Sequence, residues 1–125
     1  MHILNAEMDL DMERAKIMTK IIQDVLNIVT YHFSIAIDEE SLDYERFVTH
    51  LKFFIQRAMH EKESRIWEKS LMDMIRIQYL DAYECAAKVA AYIEKTTPYA
   101  VQEEEMVYLT VHIQRLQKAS EKVKV

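Results

Sequence analysis

Two histidines carry the chemical interest of this chain. His50 lies in the run Arg46-Phe47-Val48-Thr49-His50-Leu51-Lys52-Phe53-Phe54-Ile55-Gln56-Arg57, and His112 in Tyr108-Leu109-Thr110-Val111-His112-Ile113-Gln114-Arg115. At helical spacing Phe47, Leu51, Phe54, Ile55 and Ala58 share one face, and His50 falls on its shoulder, with Arg46 and Arg57 along the same side. His112 stands likewise beside a stripe of Met106, Leu109, Ile113 and Leu116, with Tyr108 a turn before it and Arg115 a turn after. A neutral imidazole at the edge of a packed helix is a nucleophile that another protein can reach, and a nearby arginine can hold the anion it acquires. Spacing by itself favours a plainer reading, two helix-boundary histidines satisfied by a neighbouring side chain or water, without excluding the reactive one.

The remaining reactive groups point elsewhere or nowhere. His2 sits at the chain terminus, His32 ends a helix where a cation is favoured, and His60 lies in a polar turn. Neither His50 nor His112 has a glutamate three residues earlier, so the paired Glu-x-x-His pattern of a di-metal bundle is missing and no metal is expected. Cys85, alone on an alanine-rich segment, reads as a small packed side chain. The chain contains no glycine, and without it the loops that cradle nucleotide phosphates cannot be built, so no cofactor of that kind and no kinase or nucleotide-hydrolysing activity is expected. Trp67 and the Phe53-Phe54 pair read as packing surface, with Phe53 turned outward toward a possible partner.

What must position the histidines is helical. The chain has 125 residues, half of them apolar, with no glycine and one proline, a composition that starves hairpins and suits an all-α fold in one domain, residues 1–125. A first helix runs from about Met8 to His32 with Ile17, Ile21, Val25, Ile28 and Val29 on its apolar stripe. Phe33 to Glu40 form a connector, and Ser41 or Asp43 caps a second helix that ends near His60. After the polar run from His60 to Arg65, a short third helix spans Ile66 to Tyr79. A fourth, Leu80 to Lys95, presents Tyr83, Ala86, Ala87, Ala90 and Ile93 and stops before Pro98. The last opens at Glu103, Glu104 and Glu105 and closes with Arg115, Lys118, Lys122 and Lys124, matching the helix dipole at both ends. Together they predict a compact five-helix bundle.

The formal charge is −5, which argues against direct binding to nucleic acid or an anionic membrane. No stretch has the apolar length of a membrane span, and the cytoplasm is the expected compartment.

Three stretches taken together, Arg46 to Phe54, Tyr83-Glu84-Cys85 and Glu105 to Arg115, resemble a PTS regulation domain (PRD) over about Arg14 to Lys118. They are most similar to the second such domain of the BglG/SacY-type transcriptional antiterminators. That resemblance implies a regulatory module, not an enzyme, phosphorylated by the sugar phosphotransferase system, with His50 and His112 at the two phosphoacceptor positions. In such families the phosphocarrier protein HPr donates to the second domain and promotes activity, whereas the sugar-permease EIIB component acts on the first and inhibits. Phosphorylation shifts a homodimer, and RNA is bound through a separate domain that this chain lacks, so it is expected to be a fragment of a longer regulator. Arg46, Arg57 and Arg115 are candidate phosphate partners from the helical wheel, not from a family motif. A departure is Gln102, where the family more often offers a capping serine or threonine. Two alternatives stay open: the same module from a PTS-controlled DNA-binding activator, and a purely structural dimerisation bundle.

Overall fold

A computed structural model describes residues 2–59 and 67–123. The regular elements among the described residues are all helices, in the order α1 (His2–Phe33), α2 (Leu42–Met59), α3 (Lys69–Gln78), α4 (Leu80–Thr96) and α5 (Glu103–Val123). The five-helix expectation is met, with shifted ends. His2 is inside α1, and α3 starts after Trp67. The polar turn at His60 to Arg65 lies outside the described residues.

With no glycine available, the turns are made by other means. Ser34 takes a positive φ of 53° just past α1, while the Ile35 amide bonds back to the Thr30 carbonyl and the Ser34 amide to the Tyr31 carbonyl. This is a Schellman stop with serine in the place glycine usually fills, and Ile35 buries itself behind it as the accompanying apolar contact. Of the two candidate caps for α2, Ser41 is the one used: its hydroxyl accepts the Tyr44 amide at 3.1 Å, satisfying an amide that has no partner within the helix. At the end of α4 the Thr97 amide and hydroxyl both bond to the Ile93 carbonyl. Thr97 itself is extended, with φ −124° and ψ 162°, the conformation Pro98 imposes on the residue before it.

α5 is the hub, packed against α4, α2 and α3, while α1 closes the bundle over α4 and α2. The core joins Ile21, Val25 and Val29 of α1 to Phe47, Leu51, Phe54 and Ile55 of α2, to Ala82, Cys85, Ala86, Val89 and Ile93 of α4, and to Leu109, Ile113 and Leu116 of α5. Small residues on α4 let its neighbours approach closely, yet the buried face differs from the expected one. Ala82, Cys85 and Val89 are inside, and Tyr83 and Ala87 are only half-buried. On α5, Val107 is buried and Met106 half-buried, and Ile17 of α1 is exposed. Ala82, Cys85, Val89 and Val107 are buried in addition because a helix with neighbours on two sides buries a band wider than the single stripe periodicity finds.

Candidate functional site

α2 and α5 lie side by side, and the shoulder positions of the two stripes meet. The rings of His50 and His112 stack face to face, their centroids 3.9 Å apart and their planes 16° from parallel. Helical spacing places each imidazole at a helix edge; packing makes them one site. Tyr108 completes it, its ring edge-on to His112 at 4.5 Å. The Tyr108 hydroxyl lies 3.0 Å from His50 Nδ1 and donates to the His50 carbonyl at 3.2 Å. Phe53 contributes its ring to His50 from the other side, with centroids 6.4 Å apart, and remains half exposed to solvent.

Beneath this pair is a buried ion pair that sequence reading missed. Arg57 Nε and its terminal nitrogen bond the two oxygens of Glu105, both at 2.7 Å. The guanidinium carbon also stands 4.5 Å from the centre of the Tyr108 ring. The bidentate geometry explains how Glu105 tolerates an exposure of only 8 %, since a buried carboxylate must be paired and fully hydrogen-bonded. By its place in the chain Glu105 groups with Glu103 and Glu104 at the positive end of the helix dipole. The available signal was its spacing, since Glu105 precedes core residue Leu109 by one helical turn and so continues the buried face. Glu105 and Tyr108, three apart on α5, thus hold Arg57 between them.

The histidines open onto a groove of about 580 Å³ whose walls include Asp43, Arg46, Tyr79, Arg115 and Lys118. Of the three candidate arginines, Arg46 and Arg115 line this groove, and neither forms a salt bridge among the described residues. Arg57 is committed to Glu105. Among the described residues no group of three or more His, Cys, Asp or Glu side chains is arranged to hold a metal ion.

Electrostatics keep both imidazoles uncharged near neutral pH. Burial pushes His50 below its ordinary value, and the charges of Arg115 and Arg57 act in the same direction. His112 is pushed down to about 4, by burial first, then by His50, Arg115 and Arg57. A cation is disfavoured in both rings because partial burial strips water from it and two guanidinium groups repel it. What remains is a pair of neutral nucleophiles beside two arginines without a salt bridge among the described residues, a site suited to receive an anionic electrophile and hold it.

His32 is the helix-end histidine expected, in the last turn of α1, and it also bridges to another helix. Its Nε2 meets Asp81 at 2.9 Å, and Lys88 donates to its Nδ1 at 2.9 Å, tying α1 to α4. Cys85 is fully buried and its thiol is pushed up to about 12 by burial, so it holds its proton and does no chemistry.

Residues 23–116 match the PRD domain family. The chain belongs to that family. It is 43% identical to the transcription antiterminator LicT of Bacillus subtilis over 118 residues, 94% of this chain and 43% of LicT. It is 36% identical to the beta-glucoside operon antiterminator of Dickeya chrysanthemi over 116 residues, 93% of this chain and 41% of that protein. With Protein GlcT of Staphylococcus aureus the identity is 31% over 113 residues, 90% of this chain and 40% of the relative. The chain thus spans about two-fifths of the length of these curated relatives. It is a PRD regulatory domain related to transcription antiterminators of the BglG family. None of the helices among its described residues is long and apolar enough to cross a membrane.

Proposed function

We propose that this PRD is a phosphorylation-controlled switch of a sugar-operon transcriptional antiterminator, and that His50 and His112 receive the phosphoryl groups. The observation that carries the reading is the stacked pair of neutral imidazoles opening on a groove lined by Arg46 and Arg115. A phosphoryl group there adds negative charge and acceptor oxygens, which those two guanidinium groups pair in the bidentate manner arginine favours. Arg57 becomes a third partner only if its bond to Glu105 opens.

The donors are HPr and the sugar-permease EIIB component, and the domain corresponds to the second PRD of its parent. An imidazole that ends up carrying phosphate cannot stay stacked against its neighbour as an uncharged ring does, so modification acts on the α2–α5 seam. A homodimer whose contacts depend on that packing is thereby shifted, and RNA binding by a separate domain follows. The compartment in which this takes place is the cytoplasm. Similarity to proteins named as antiterminators supports this parentage over a DNA-binding activator.

Incubation of the chain with phosphorylated HPr, followed by mapping of acid-labile phosphate, tests the reading. Label is expected on His50, His112 or both, and should vanish in a His50→Ala/His112→Ala variant whose circular dichroism is unchanged. An unlabelled wild-type chain would leave only a structural dimerisation bundle.

A further inference from the structure

The hydroxyl of Tyr108 touches His50 twice, and that double contact has a chemical consequence. It lies 3.2 Å from the His50 carbonyl oxygen and 3.0 Å from His50 Nδ1. A carbonyl oxygen can only accept, and a phenol has one proton to give. If that proton went to Nδ1, two oxygens would face each other with no hydrogen between them. With the proton on the carbonyl, the remaining phenol lone pairs are free to accept, and Nδ1 must then carry a hydrogen to make its own bond. Arg57, which also hydrogen-bonds Tyr108, is likewise a donor only, so it too requires the phenol to accept. All three contacts are satisfied together in one arrangement, with His50 protonated at Nδ1.

The neutral ring that results bears its lone pair on Nε2. That atom has no hydrogen-bond partner, and no buried side-chain nitrogen or oxygen lacks one among the described residues, so Nε2 is reached by solvent. His50 also lines the groove in which Arg46 and Arg115 stand.

We infer that the Tyr108 hydroxyl fixes the His50 tautomer and so selects Nε2 as the nitrogen that accepts the phosphoryl group. The inference rests on the phosphoacceptor reading of His50 for its second half only. In the transfer, the Nε2 lone pair forms the new bond to phosphorus while the donor's phosphorus–nitrogen bond breaks. The bonding pair returns to the donor imidazole, which leaves neutral with the hydrogen on its other nitrogen. Nδ1–H of His50 stays on Tyr108 throughout, so no proton has to cross the site during attack. Tyr108 is a positioning residue: it touches the acceptor ring and not the phosphoryl group.

Long-range proton–nitrogen correlation spectra of the ¹⁵N-histidine-labelled chain, recorded above the His50 titration without any donor, read the tautomer directly. The expected result is a protonated Nδ1 and an unprotonated Nε2 in the wild-type chain. In Tyr108→Phe, which keeps the ring under Arg57, the tautomer ratio should move toward Nε2–H by roughly fivefold, about the worth of one net hydrogen bond. A second arm uses phosphorylated HPr and separates the two phosphohistidine isomers, with the Nε2 isomer expected at His50. Nε2–H in the wild-type chain, an unchanged ratio in folded Tyr108→Phe, or phosphate on Nδ1 would overturn the inference. If Tyr108→Phe does not fold, the wild-type tautomer alone decides. If no label reaches His50, the phosphoacceptor reading falls, and the donor-free spectra still judge the hydroxyl's role.

Discussion

His112 shows what partial burial does to an imidazole. Unfolded, it takes a proton near its ordinary value of 6.5, but folded it does so only near 4, because burial, His50 and two arginines all oppose the cation. Between those values the unfolded chain binds the additional proton, so the stability contributed by the neutral ring is complete above pH 6.5 and drains away as pH falls toward 4. The urea midpoint of the wild-type chain should therefore drop more steeply across that window than the midpoint of His112→Gln. Equal slopes would show that the folded ring accepts its proton freely. The same suppression serves chemistry, since a ring that stays neutral around neutral pH keeps a lone pair available as an acceptor. Spacing could place His112 at a helix edge, but the depth of its burial and the charges around it depend on residues from α2.

At the level of elements, α5 meets α2 through two layers, the stacked rings and the Arg57–Glu105 pair below them. Glu105 is the more enclosed partner, its side chain 10% exposed against 24% for Arg57. Glu105→Ala strands Arg57 over the Tyr108 ring without its carboxylate, and should cost about 3 kcal/mol in urea denaturation. Replacing both, as Arg57→Met with Glu105→Leu, should recover most of that loss, because a well-packed apolar pair removes the stranded charge. A loss unchanged in the double variant would mean that the pair matters for something other than charge burial. The helices themselves were legible: periodicity found all five, and the Ser41 cap and the stop before Pro98 follow from local chemistry. Their ends were less so. Nothing in the residues around Ser34 advertises a left-handed stop, because the usual marker for one is glycine and the chain has none.

Over the whole molecule the charge is −5, yet the groove at the histidines gathers Arg46, Arg115 and Lys118 around a lone Asp43. A negative chain with a basic opening at its site steers an anionic partner surface toward that opening and repels it elsewhere. The initial rate of labelling by phosphorylated HPr should accordingly fall as salt rises. An Arg46→Gln/Arg115→Gln variant should be slower by about tenfold at low ionic strength and nearly insensitive to salt. A salt-independent wild-type rate would place the docking contacts away from the groove.

The sequence by itself determined an all-helical fold, roughly where its helices lie, and that His50 and His112 sit on helix shoulders within PRD-like motifs. Those features follow from local propensity and from a period of 3.6 residues, which need no knowledge of the neighbours. Only the tertiary structure decided that the two shoulders face each other, that Glu105 is a buried counter-ion and not a dipole charge, and that Arg57 is occupied while Arg46 and Arg115 form no salt bridge among the described residues. Pairings across 48 and 58 residues of chain depend on the angle and rotation at which α2 and α5 dock. That docking is set by the summed packing of the core, which no single helix encodes.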